Sequence, residues 1–258
     1  MKTLKIIKIG GNIIDDADEL NYFLKGFSKL KGLKILVHGG GKSATALANK
    51  LGVDAKMIDG RRITDTETLD IVTMTYAGKI NKTIVAQLQA NDCNALGLSG
   101  ADGNTILAEK RPVKNIDYCF AGDVVKVNTG VLKLLITNNI ILVFCALTHN
   151  GNGQLLNTNA DTIAAELAIA FAKDYYVELY YCFEKNGLLK DVTDNDSVIP
   201  FIDTKTYNSL IADGVITDGM LPKLNNCFYA LKHQVSKVCI GKAEMLFNSN
   251  SKFTTIQE

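Results

Sequence analysis

LKILVHGGGKSATALANKL, residues 33–51, decides the fold. An apolar run over 33–38 has the length and β-branched content of a buried strand. Three glycines at 39–41 make a tight turn, and 42–51 has helical composition. Strand, glycine turn and helix together form the building unit of an α/β protein with a parallel sheet. The same unit opens the chain, where Leu4–Ile9 runs into Gly10-Gly11-Asn12 ahead of a helical stretch at 16–30. Further strands are expected at 94–98, 104–109, 123–127, 139–147, 175–182 and 235–240. Helices are expected at 65–90, 129–138, 160–173, 203–213 and 220–233. Segment 160–173, ADTIAAELAIAFAK, is apolar nearly all round and should lie buried between layers. These elements predict a three-layer αβα sandwich around a mainly parallel open sheet.

Composition narrows the function. The chain has 258 residues with 28 Lys+Arg against 27 Asp+Glu, a net charge of +1. Nothing here marks a phosphate-backbone binder, so no nucleic-acid partner is expected. No apolar run approaches the roughly 18 residues of a membrane span, and Lys5 and Lys8 interrupt the first apolar stretch, so no membrane partner is expected either. The six cysteines, Cys93, Cys119, Cys145, Cys182, Cys227 and Cys239, form no C-x-x-C pair. They read as reduced thiols of a cytoplasmic protein, and no metal site is expected among them or the histidines. Three prolines against 21 glycines fit an α/β protein whose turns bring backbone close to a ligand.

In open α/β sheets ligands bind at the carboxyl ends of strands, where glycine turns and helix N-termini present N–H groups to anions. Gly10-Gly11 and Gly39-Gly40-Gly41 are two such turns. The Gly41-Lys42-Ser43 triplet is not a P-loop, because that motif needs glycine at position 36 and the residue is Leu36. The pattern Gly39-x-Gly41-x-x-Ala44, with Asp59 further on, keeps a dinucleotide-binding oxidoreductase as a rival. If residues 156–162 are extended, Asn157, Asn159 and Asp161 point to one side, although Asn159 or Asp161 also reads as a helix cap. Lys223 lies in the first turn of a helix, where the macrodipole disfavours a cation, so it reaches solvent or meets an anion. Arg61-Arg62 read as a solvated turn or as a guanidinium fork for a carboxylate or phosphate.

Seven motifs in fixed order make the chain resemble the amino acid kinase family, in its acetylglutamate branch. They are KIGGN (8–12), HGGGKS (38–43), DGRRIT (59–64), AGKINK (77–82), GLSGADG (97–103), LLNTNAD (155–161) and ITDGMLPKLN (216–225). The resemblance implies the amino acid kinase fold and transfer of the γ-phosphoryl group of ATP, bound with Mg2+, to the side-chain carboxylate of N-acetyl-L-glutamate in arginine biosynthesis. N-succinyl-L-glutamate is the alternative substrate, and a non-catalytic ligand-binding protein of the same fold the alternative class. It also implies that Lys8, Lys223 and Asp161 are catalytic, with Asp161 holding both ammonium groups. Gly40, Gly41, Arg62, Asn157 and Asn159 would bind the N-acyl-L-glutamate; Gly10, Gly11, Asp218, Gly219 and Met220 would face the phosphates and nucleotide. Residues 1–173 would form the acyl-glutamate and dimerisation lobe, and 174–258 the nucleotide lobe, on one continuous sheet. Family members with an added N-terminal helix form arginine-inhibited hexamers; a chain starting at its first strand is expected to be an arginine-insensitive homodimer. Two stretches depart from the family pattern: Phe183-Glu184-Lys185-Asn186 replaces a T/S-D-x-x run, and 143–150 (VFCALTHN) lacks the usual proline-rich strand end.

Overall fold

The computed structural model describes residues 1–58, 60–216 and 220–257. Its strands in chain order are β1 (Thr3–Ile9), β2 (Leu33–His38), β3 (Met57–Ile58), β4 (Arg61–Arg62), β5 (Ala95–Leu98), β6 (Ile106–Lys110) and β7 (Gly122–Val127). They continue with β8 (Ile141–Phe144), β9 (Leu147–His149), β10 (Leu155–Asn157), β11 (Tyr176–Cys182), β12 (Phe201–Ile202), β13 (Lys237–Gly241) and β14 (Thr254–Ile256). The helices are α1 (Gly11–Ile14), α2 (Ala17–Lys29), α3 (Gly41–Lys50), α4 (Thr66–Val72), α5 (Asn81–Gln89), α6 (Thr129–Thr137), α7 (Ala160–Ala172), α8 (Thr204–Ala212) and α9 (Leu221–Lys232).

Eight strands form one open sheet in the order β12-β14-β13-β11-β1-β2-β8-β5, parallel except for the β13–β14 pair. From β1 the chain builds outward through β2 on one side and later through β11 on the other. That reversal places a crevice at the carboxyl end of β1, where open α/β sheets bind ligands. Covered on both faces, β2 buries Lys34 to His38 without a break. The buried Lys34 ammonium meets the carbonyls of Phe27 (2.7 Å), Ser28 (3.1 Å) and Leu30 (2.7 Å). A cation thus satisfies the orphan oxygens at the negative end of α2. Helix α7 buries Ile163, Leu167, Ala168 and Phe171 as expected for its all-round apolarity.

Two expectations need correction. The single strand expected over 139–147 is two strands: β8 ends in the main sheet, and β9 begins a second sheet ordered β10-β9-β6-β7. Cys145 still donates to Leu98 O of the first sheet, whereas the Ala146 carbonyl already accepts from Thr158. Burial on both sides of the crossing leaves no polar mark in the sequence. The helix expected over 65–90 is α4 and α5 separated by π-helical turns at Thr73–Ile80. Such widened turns recur at functional sites. This one packs Tyr76 and Ile80 onto Gly40, where an added Cβ would lie 2.5 Å from Ile80 Cδ1, so a side chain there would have to displace both neighbours.

Among the described residues, no helix is long and apolar enough to cross a membrane.

Candidate active site

Helix capping locates the site. Asp16, Asp65, Asn128, Asn159 and Asp203 each cap the helix that follows, accepting from first-turn N–H groups. Gly10 ahead of α1, Gly40 ahead of α3 and Met220 ahead of α9 supply no side-chain cap. Among the described residues their first-turn donors meet no side-chain cap, and the turns at Gly10 and Gly40 open into one cleft of about 240 Å³. Lys8, at the end of β1, reaches the same cleft and pairs with Asp161 Oδ1 at 2.7 Å. Both side chains are under one-fifth exposed, so this ion pair is screened less than a surface pair.

Asn157, Asn159 and Asp161 all line the cleft, but not by strand alternation. The extended stretch ends at Asn159, and Asp161 belongs to the first turn of α7. Asn159 Oδ1 caps that helix through the N–H groups of Asp161 (2.8 Å) and Thr162 (3.2 Å), which leaves its amide NH2 for a ligand. Asn157 Nδ2 donates to Thr64 Oγ1 at 2.9 Å, leaving its carbonyl oxygen. Capping and site geometry here use different atoms of the same side chains.

Arg62 is 8% exposed and is no solvated turn. One nitrogen, Nη2, donates to Gly41 O (2.9 Å) and Thr45 Oγ1 (2.7 Å), while Nη1 is buried without a partner. A buried, half-satisfied guanidinium costs free energy unless an acceptor arrives. A carboxylate is the matching one. Tyr76 lines the cleft beside it, its hydroxyl held in the protonated form by burial. Arg61 and Arg111 line the same cleft, and Arg111 forks onto Asp123. Tyr76 and Arg111 carry no local sequence signal of a site, whereas Arg61 shares with Arg62 the paired-arginine signal.

Lys223 and Asp161 are not paired as the resemblance implies. Asp161 holds Lys8, whereas the Lys223 ammonium stands 5.1 Å over the centre of the Phe183 ring. Lys8, Asp161, Phe183 and Lys223 nonetheless line one small adjoining cleft. Asp218 and Gly219 lie outside the described residues, as does Asp59 of the dinucleotide-binding rival; Met220 is half-buried at the start of α9. Lys42 donates to Asn12 Oδ1 at 2.6 Å, and Asn12 in turn donates to Glu184.

Directly behind the Gly39–Gly41 turn, His38 is fully buried. Its Nδ1–H donates to Gly39 O (2.8 Å), and Nε2 accepts from Asn81 Nδ2 (3.1 Å). Burial lowers the imidazole pKa to about 4 from 6.5. The unfolded chain therefore binds the extra proton first, and stability falls as pH drops through the window from 6.5 to 4. The loss at pH 5 relative to pH 7 is about 2 kcal/mol from this residue. Urea unfolding at both pH values should show that loss, and His38→Gln should reduce it by about the same amount.

The amino acid kinase family pattern matches residues 3–242. An acetylglutamate kinase of Cytophaga hutchinsonii is 57% identical over 247 residues, spanning 95% of this chain and 94% of the relative. An acetylglutamate kinase of Phocaeicola vulgatus is 54% identical over 243 residues, spanning 94% and 95%. Among solved structures, the smu.665 protein of Streptococcus mutans UA159 superposes with a TM-score of 0.77 at 25% identity, covering 98% of both chains.

Proposed function

The chain belongs to the amino acid kinase family, and from that premise we infer how its cleft works. It is a phosphotransferase that acts on a carboxyl group: it moves a phosphoryl group from ATP to the side-chain carboxylate of N-acetyl-L-glutamate, giving N-acetyl-L-glutamyl 5-phosphate for arginine biosynthesis. One observation carries the residue-level reading. One cleft gathers the Lys8 ammonium, the uncapped turns at Gly10 and Gly40, and Arg62, whose Nη1 is buried without a partner. Those groups match the two carboxylates of a dianionic amino acid, one for Arg62 and one for Lys8 and the glycine turns.

The nucleophile is already anionic at neutral pH, so no general base is required. The site supplies alignment and positive charge instead. Lys8, steadied by Asp161, stabilises charge on the transferring phosphoryl group. N–H groups at Gly10, Gly11, Gly40 and Gly41 face the phosphate oxygens and the reacting carboxylate. Arg62 takes the α-carboxylate, Asn159 Nδ2 donates to the substrate and Asn157 Oδ1 accepts its amide N–H. Lys223, with Met220 at the uncapped start of α9, serves the nucleotide side. Mg2+ would be carried by the nucleotide phosphates and would offset their charge, since Asp161, the carboxylate lining the cleft among the described residues, is engaged by Lys8. On this reading residues 1–173 hold the acyl-glutamate and 174–258 the nucleotide. The support is that the larger cleft is lined by residues up to Asp161, and the smaller one largely by Tyr181 to Ile240.

We place the enzyme in the cytoplasm, where its six unpaired thiols stay reduced. We assign it a homodimer, supported by β5, an edge strand with an unpaired hydrogen-bonding row and an exposed Leu96. Sedimentation showing a monomer would remove that assignment.

Arg61 and Arg111 favour a second reading of the acyl end. Burial and the neighbouring Arg111 charge push the Arg61 pKa down. Asp123, which already pairs with Arg111, offsets them only in part, so two cations share one carboxylate and a further anion would be favoured there. An N-succinyl group would bring that anion. The deciding experiment traps the acyl phosphate as hydroxamate, with MgATP and either N-acetyl- or N-succinyl-L-glutamate. Hydroxamate with the acetyl substrate is expected. A kcat/KM about tenfold higher with the succinyl substrate would establish the second reading. Ligand-induced thermal stabilisation with no hydroxamate from either would indicate a non-catalytic binding protein.

A further inference from the structure

The stretch Phe183-Glu184-Lys185-Asn186 departs from the family pattern at the carboxyl end of β11, next to the strand that carries Lys8. Phe183 is tethered there by its N–H, which donates to Gly241 O at 3.0 Å. Its ring is half-buried and lines a small cleft together with Lys8, Asp161 and Lys223, and the Lys223 ammonium stands over its face at 5.1 Å. Lys223 is the third residue of α9, where the helix field repels a cation, and the helix has no acidic residue in its first turn. Among the described residues no carboxylate lies within ion-pair distance of Lys223.

We propose that Phe183 is a positioning residue for phosphoryl transfer: its π-face holds the Lys223 ammonium over the cleft without neutralising it. The physical distinction is between a full countercharge and a quadrupole. A carboxylate partner, like Asp161 with Lys8, competes with phosphate oxygens for the ammonium. An aromatic face attracts the cation to a defined place yet leaves its net charge available to an arriving anion. Two lysines in one cleft are thereby held by different means, Lys8 by an ion pair and Lys223 by a ring. The proposal rests on the reading that Lys223 serves the transferred phosphate.

The test is a double-mutant cycle on kcat, using Phe183→Leu, Phe183→Tyr and Lys223→Met. Phe183→Leu is expected to lower kcat about fivefold, with the KM for the acyl-glutamate unchanged. Phe183→Tyr should stay within twofold of the parent, because it keeps the π-face. In the Lys223→Met background Phe183→Leu should cost nothing further, since the group it positions is gone. Equal losses from Phe183→Leu in both backgrounds would overturn the proposal while leaving the role of Lys223 intact. A rise confined to the KM for ATP in both backgrounds would overturn it in favour of a ring that contacts the nucleotide. Parent-like turnover in Lys223→Met alone would remove the underlying reading of the site and the proposal with it.

Discussion

Lys8→Ala lowers kcat by about three orders of magnitude, and the melting temperature moves by only a few degrees. The expected factor is what one preorganised charge facing developing negative charge contributes, about 4 kcal/mol of transition-state stabilisation. Lys8 sits at the end of a central strand with its ammonium 2.7 Å from Asp161, so it enters the reaction already oriented. The fold tolerates the loss because the residual carboxylate lies in the first turn of α7, where the helix field favours a negative charge. Lys42→Ala is the contrast. Lys42 belongs to the triplet that looks like a P-loop, yet its ammonium is spent on Asn12 Oδ1 at 2.6 Å, and turnover should stay within about threefold of the parent. Steady-state hydroxamate assays on both variants, alongside thermal melts, decide the point. Comparable losses of turnover would mean that the lysine of the second glycine turn carries the chemistry.

Arg62→Lys raises the KM for the acyl-glutamate about a hundredfold, and kcat changes by less than about threefold. The guanidinium does two jobs that an ammonium cannot share out in the same way. Nη2 ties the cleft wall together through Gly41 O and Thr45 Oγ1, while Nη1 remains for the ligand. A lysine that satisfies the wall has no second nitrogen for the carboxylate. A hundredfold corresponds to about 2.7 kcal/mol, the range for removing a charge-assisted bond at a buried site. The α-carboxylate is not the group that reacts, so its contact holds substrate and transition state alike and appears in KM. A large fall in kcat with unchanged KM would place Arg62 at the transferring group instead.

Much of this molecule is legible because its signals are local. The strand that ends at Ile9 and the strand that ends at His38 are bounded by glycines, and each appears within a residue of its expected limits. Helix α7 is expected to be buried from its composition alone, and it is. The strand ending at Phe144 fails as a prediction for the opposite reason, since an apolar run that passes from one buried sheet to another carries no mark at the crossing. The π-helical turns at Thr73–Ile80 also escape sequence reading; they set Tyr76 and Ile80 against Gly40, a contact between distant segments.

The site divides along the same line. By itself the sequence determined an α/β fold and which residue types stand at the ends of β1 and β2, and its motif order pointed to the family. These follow from periodicity and from turn chemistry, both of which act over a few neighbouring residues. Only the tertiary structure decided that Arg62 is buried with one nitrogen to spare, that Asn159 caps a helix while keeping its amide for a ligand, and that Lys223 rests on Phe183 and not on Asp161. Those are statements about which partner each polar atom has used up. A partner is set by long-range packing, so the +1 of the whole chain leaves unseen the cationic surplus gathered in one cleft.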